Sequence, residues 1–218
     1  PALNKAREKA RSAQCKNNLK TIGLLELTYA NDHNDIIFLN RNANAIFALP
    51  LIEKGYVFTT TSLGLLEKFL YCPNANITLV ASALETIKYR IYGARFGARQ
   101  IPSHCLVQEK LPGESNYSDF LLLNKISVPT SFYFIGDSCY STNQTTYSVM
   151  NILFNGTTSF SLWAHRGSGN ALGADGHVEQ FNTPGPYFKA GRIELKKAGE
   201  TSPMLMQDAH LNIITENI

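Results

Sequence analysis

The sequence predicts an α+β fold, with a long N-terminal α-helix packed on a mainly antiparallel β-sheet carrying inserted loops and short helices. Three observations predict it. Residues 1–32 have no proline after Pro1 and carry apolar residues at three- and four-residue steps. Ser131–Asp137 is a short apolar run of the buried-strand kind. Residues 160–181 read as three short strands punctuated by turn formers.

The helix is taken first. Pro1 suits a first-turn position, and Asn31-Asp32-His33-Asn34-Asp35 supplies the stop. At about 1.5 Å per residue it is about 45 Å long, more than most globular helices need. Leu3, Ala6, Ala10 and Ala13 share one narrow side, whereas Cys15, Leu19, Ile22 and Tyr29 lie nearly opposite. Lys5, Lys9, Lys16 and Lys20 form a basic stripe between them. The apolar side therefore changes near residue 14, which predicts two different packing partners at two heights. Residues 1–13 should project from the body without an intramolecular partner.

The rest follows in chain order. Ala43–Tyr56 and Ser62–Tyr71 are candidate short helices, the first divided by Pro50. Tyr89, Ile91 and Tyr92 mark a strand. Residues 102–125 contain Pro, Gly and Ser and read as a surface excursion, and residues 141–158 as loop. In the 160–181 meander, Phe160–His165, Asn170–Ala174 and His177–Phe181 are the expected strands. Asp175-Gly176 is the expected two-residue hairpin turn, because both positions want positive φ. The tail after Thr183 has no clear assignment. Two regions result: the helix at 1–33 and a globular head at 34–218.

Composition narrows the function. A hydrophobic fraction of 44% with only 17% charged residues is that of a folded chain, not a disordered one. Net charge is +3, and the whole excess sits in residues 1–33, which carry Lys5, Arg7, Lys9, Arg11, Lys16 and Lys20 against Glu8, Glu26 and Asp32. Taken whole, a net charge of only +3 is weak evidence for a nucleic-acid partner, and none is expected. No apolar run reaches the roughly 20 residues of a bilayer span. The four cysteines, Cys15, Cys72, Cys105 and Cys139, form no Cys-x-x-Cys pair, which speaks against zinc. No cofactor motif is present. Arg166-Gly167-Ser168-Gly169 is neither a nucleophile elbow nor a phosphate loop.

Two motifs carry a resemblance. Pro1–Gly23, extended through Tyr29-Ala-Asn-Asp32, resembles the stretch just after the transmembrane part of prepilin-type proteins. Trp163-Ala-His165, then nine residues, then Asp175-Gly176-His177-Val178, is similar to the H-X9-DG signature of the bacterial prepilin processing-associated proteins. Tyr71-Cys72-Pro73 and Val128-Pro129-Thr130 with Ile135–Ser138 look like internal landmarks of that group. The resemblance implies a type IV pilin-like or type II secretion pseudopilin fold and a structural, non-enzymatic role. It implies a leader cut by a prepilin peptidase and an inner-membrane helix ahead of Pro1. It places the head in the periplasm or outside, and makes other subunits the partners of Leu3, Ala6, Ala10 and Ala13. A surface-displayed module binding a ligand or polysaccharide on the same anchor is the alternative.

Candidate chemistry is sparse. His165, Asp175 and His177 are the residues from which a metal site or acid–base pair could be built. The structural reading is preferred, since an Asp-Gly turn accounts for Asp175 and Gly176 without chemistry. Cys15 and Cys72 are the expected disulfide, stapling the helix to the next segment, with Cys105 and Cys139 as a second. An exported location permits both. Four buried thiols are the competing reading.

Overall fold

The computed structural model describes residues 2–40, 47–57, 68–74, 91–95, 101–140, 158–162, 165–201, 203–207, 210 and 212–217. Helix α1 runs Ala2–Asp32. It stops where predicted: Asn34 and Asp35 take left-handed φ values of 56° and 62°, and the Asp35 amide donates to the Ala30 carbonyl at 2.8 Å. Asn and Asp tolerate that conformation better than other non-glycine residues. The chain then enters strand β1, Ile36–Asn40, and helix α2, Ala48–Glu53. A 3-10 turn at Lys68–Leu70 and strand β2, Gly93–Ala94, follow.

Strands β3, Leu106–Glu109, and β4, Ser118–Leu122, form a hairpin that pairs with β1, giving a three-stranded antiparallel sheet in the order β1-β4-β3. The expected surface excursion at 102–125 is therefore a regular part of the fold. Ser118 and Asp119 are buried, bonded to Glu114 and Gln108, and that polar interior hides the strand from a hydrophobicity pattern. Strand β5, Tyr133–Gly136, fits the predicted apolar run.

Strand β6, Ser138–Tyr140, pairs with β7, Thr158–Phe160. Strands β8, Gly169–Gly173, and β9, Val178–Phe181, complete a four-stranded antiparallel sheet in the order β2-β5-β8-β9. So β8 lies against β5, and the strand ending at Phe160 joins a separate pair instead of the expected meander. The expected strand residue Tyr89, the loop at 141–157 and Trp163-Ala164 lie outside the described residues.

The tail adds helix α3, Pro184–Lys197, and a hairpin of β10, Met204–Gln207, with β11, Ile213–Glu216. Side chains on the central sheet alternate between its faces. Leu172 and Ile135 join Leu19 and Ile22 of α1 in one core. Ala171 and Phe181 join Tyr187, Phe188 and Leu195 of α3 in the other. The molecule is layered as α1, sheet, α3. The second core is aromatic, with Phe160 stacked on Tyr187 at 4.4 Å and Phe181 edge-on to both. Among the described residues, no helix is long and apolar enough to cross a membrane.

Candidate functional site

Two features of α1 stand out, one on each side of the helix. Toward the head, Ser12, Cys15, Leu19, Ile22, Gly23, Glu26, Tyr29 and Ala30 are buried. Gly23 allows the approach: a Cβ there would stand 2.7 Å from Leu172 Cδ1. This side continues below residue 14 as a polar strip. Glu8 accepts from Asn74 Nδ2 at 2.6 Å, Arg11 donates to Asn74 Oδ1 at 3.2 Å, and Gln180 donates to Ser12 Oγ at 3.0 Å. Glu8, Arg11 and Ser12 therefore have intramolecular partners, contrary to the expectation that all of residues 1–13 project freely.

Toward solvent, Leu3, Ala6, Ala10 and Ala13 are all exposed, Leu3 by 63%. Leu24, further up the same side, is 68% exposed. The apolar side does change near residue 14, but the head-facing side does not. The helix keeps one head-facing side throughout, and in its first turns that side is polar while the apolar side looks outward.

The buried side holds a cluster of four side chains with reactive groups. Cys15 projects from α1. Cys72 follows the 3-10 turn and precedes Pro73. Asp137 occupies the step between β5 and β6. His165 precedes β8, turned inward by a tight loop in which Arg166 and Gly167 take φ of 50° and 104° and the His165 amide donates to the Ser168 carbonyl at 3.1 Å. The two sulfurs, one Asp137 oxygen and one His165 nitrogen all lie within 4.8 Å of one another, and all four residues are buried.

The contacts are specific. Cys15 Sγ lies 3.4 Å from Asp137 Oδ1. Cys72 Sγ lies 3.4 Å from His165 Nε2, which lies 3.6 Å from Asp137 Oδ2. Around them, Asn170 donates from its backbone N to Asp137 Oδ2 at 2.8 Å and from Nδ2 to Cys15 Sγ at 3.3 Å. The Tyr92 hydroxyl donates to Cys15 Sγ at 3.2 Å. His165 Nδ1 faces Glu8 Oε1 and Asn74 Nδ2, each at 3.3 Å.

Electrostatics follow from burial and contact. Burial opposes a charge on His165, but its bonds to Cys72 and Glu8 and the charge of Asp137 outweigh this and push the imidazole up to about 9. Burial raises Asp137 above the usual carboxylate range despite the imidazole and amide donors. Burial likewise pushes the Cys15 thiol up. Its bond to Cys15, reinforced by the imidazole, holds Cys72 below the ordinary thiol value.

These positions revise the expected site. Cys15 and Cys72 are neighbours as anticipated, yet both are free thiols in place of the expected disulfide. Cys105 is also a buried free thiol, 3.7 Å from the Lys125 carbonyl. The side chain of Cys139, its expected partner, lies outside the described residues. His165 does not share a site with Asp175 or His177. The five residues of β8 stand between them, roughly 17 Å at about 3.4 Å per residue. Asp175 and His177 bond to each other and His177 to Tyr133, partly exposed.

The Asp-Gly turn also differs in type. Only Gly176 has positive φ, 84°, and its amide donates to Gly173 while Gly173 donates to His177, each at 2.9 Å. This is the three-residue form with one left-handed residue. The positive φ favours glycine at 176, and a Cβ there would also stand 2.8 Å from Leu27 Cδ1 of α1, which would have to move aside. Asp137 and Asn170 were missed by sequence reasoning. The only hint was that Asp137 ends an apolar strand, where an acid needs a partner.

Comparison with known proteins agrees with the emphasis on α1. Residues 4–36 match a family described as a protein of unknown function, DUF1559. No curated protein and no solved structure gives a significant match. What the chain is similar to is therefore this family, across the helix and the start of β1.

Proposed function

We propose that this chain is a structural subunit, not an enzyme, of a pilin-like or type II secretion-like assembly in the cell envelope, and that the outward side of α1 is its subunit-packing surface. The observation that carries the reading is the inverted first half of α1. A helix that docks only on its own head turns apolar residues inward. Here Glu8, Arg11 and Ser12 face the head while Leu3, Ala6, Ala10 and Ala13 face solvent. Small alanines on that side let a second helix come close, and Leu3 supplies apolar area. The family match over 4–36 falls on the same helix. The reading carries with it a prepilin peptidase acting on a precursor, an inner-membrane anchor and a head in the periplasm or outside.

The test uses the full-length precursor in cells that assemble it. Leu3→Lys and Ala10→Lys should abolish sedimentable fibres while the purified head keeps its thermal midpoint. Fibres formed as by the parent would contradict the reading.

One observation favours display of a binding face. A cleft of about 320 Å³ lies where α1 meets the three-stranded sheet, lined by Tyr29, His33, Val107 and Phe120 among others. The Tyr29 and His33 rings stack at 4.2 Å. Glycan binding lost on Phe120→Ala, with assembly intact, would support that second role.

A further inference from the structure

We infer that Cys15, Cys72, Asp137 and His165 form a structural metal site, suited to one tetrahedral zinc ion per chain. This inference is independent of the assembly reading. A tetrahedral zinc with sulfur ligands at about 2.3 Å and nitrogen or oxygen ligands at about 2.0–2.2 Å sets neighbouring ligand atoms roughly 3.3–3.8 Å apart. Taking Asp137 Oδ2 as the ligand, the edges are 3.6 Å for Cys15 to Asp137, 3.4 Å for Cys72 to His165 and 3.6 Å for His165 to Asp137. All four ligand atoms fall within 4.8 Å of one another. The other edges are bounded by 4.8 Å, so closure to bonding geometry needs shifts of at most about 1 Å.

The donor set selects the ion. Two thiolates and an imidazole favour zinc over calcium or magnesium, which prefer oxygen. With Asp137 the site offers three negative charges, and a dication offsets two. Four protein ligands leave no open position, so the role is structural and not catalytic. Binding displaces to solvent the two thiol protons and the Nε2 proton of the His165 imidazolium, so that Asp137 binds as carboxylate and His165 through Nε2 as neutral imidazole.

The surroundings fit an occupied site. His165 Nδ1 lies 3.3 Å from Glu8 Oε1, the carboxylate–histidine arrangement that orients a metal-bound imidazole. The Cys15 sulfur receives the Asn170 amide and the Tyr92 hydroxyl, donors that suit a thiolate. Asp137 Oδ2 takes both nitrogens of Asn170 at 2.8 and 3.1 Å. The ligands come from α1, the segment after the 3-10 turn, the β5–β6 step and the turn before β8. The ion would fasten α1 to three parts of the head, and Glu8 would tie the lower helix to it.

The experiment takes the 218-residue chain, reduced, stripped of metal, and titrated with zinc and separately with cobalt(II). One equivalent of zinc should bind and raise the thermal midpoint. Cobalt should give a thiolate charge-transfer band and the visible bands of a tetrahedral ion. Bound zinc should slow alkylation of Cys15 and Cys72 but not of Cys105, which a wild-type peptide map reads directly. Cys72→Ser should lose the charge-transfer intensity of one thiolate and most of the affinity. Glu8→Gln, which keeps every ligand, should weaken binding about 10- to 100-fold. Cys105→Ser should leave the zinc stoichiometry, affinity and cobalt spectrum unchanged. The inference is overturned if the reduced wild-type chain takes up no zinc, if cobalt shows no thiolate band, or if zinc protects Cys105 instead. It is equally overturned if Cys15 and Cys72 form a disulfide in the presence of excess zinc.

Discussion

The two helices that flank the central sheet are built on opposite plans. Helix α3 buries Tyr187, Phe188 and Leu195 against the sheet, and its last turn carries Lys196 and Lys197, where cations suit the helix dipole. Its buried acid, Glu194, is fully bonded to His104 at 2.8 Å and to the Ser127 and Val128 amides at 2.5 and 2.9 Å. Helix α1 buries Leu19 and Ile22 just as well, yet leaves Leu3 and Leu24 on the far side in water. Its buried acid, Glu26, has an Oε1 without a hydrogen-bond partner among the described residues. What the difference teaches is that α3 satisfies its buried acid within the chain, whereas α1 carries an apolar side that the fold does not use.

The sharpest way to break that contrast is to compare the two sides of α1 by chemical denaturation. Leu19 is fully buried, so Leu19→Ala should cost about 2–5 kcal/mol, through lost burial and the cavity left behind. The buried acids should then respond in opposite senses. Burial raises Glu26 well above its ordinary value of 4.5. A raised carboxyl costs stability at neutral pH, and the cost is relieved as pH falls toward the folded value. Glu26→Met should therefore gain roughly 1–3 kcal/mol at pH 7, by removing an incompletely bonded buried polar group. The gain should shrink on acidification.

Glu194 behaves conversely. Burial works to raise it, but the His104 bond and the two amide donors prevail and hold it below 4.5. Its contribution is complete above 4.5 and is lost as pH falls through the lower folded value. Glu194→Gln should destabilise at pH 7 by about 1–2 kcal/mol, and the difference from wild type should narrow in urea titrations at acid pH. The smallest effect is expected at Leu24→Ala, on the exposed side of α1, which should stay within about 0.5 kcal/mol of wild type. A loss at Leu24 as large as that at Leu19 would mean that the outward side is used within the chain.

How much of this was legible in the sequence depends on whether the signal is local. The stop of α1 at Asn34 and Asp35 and the apolar strand β5 rest on neighbouring residues, and both were readable. The head-facing side of α1 was readable from Cys15 upward, but below it Glu8, Arg11 and Ser12 look like an ordinary solvated face until Asn74 and Gln180 are brought to them. Helix α3 was missed because Pro184 and Pro186 look like breakers, although proline is welcome in a first turn. The nearness of Cys15 and Cys72 was readable, but their meeting with Asp137 and His165 was not, for a different reason. The four residues come from four separated segments, so spacing rules for zinc motifs had nothing to detect.

The central claim is that the outward side of α1 packs on another subunit, and site-specific photocrosslinking tests it most directly. A benzophenone amino acid replaces Ala10 in the full-length protein in one experiment and Ile193, 40% exposed on α3, in the other. The account predicts that Ala10 crosslinks to the N-terminal helix of another subunit and that Ile193 does not. Crosslinks from Ile193 alone, or from Ala10 only within its own chain, would contradict it.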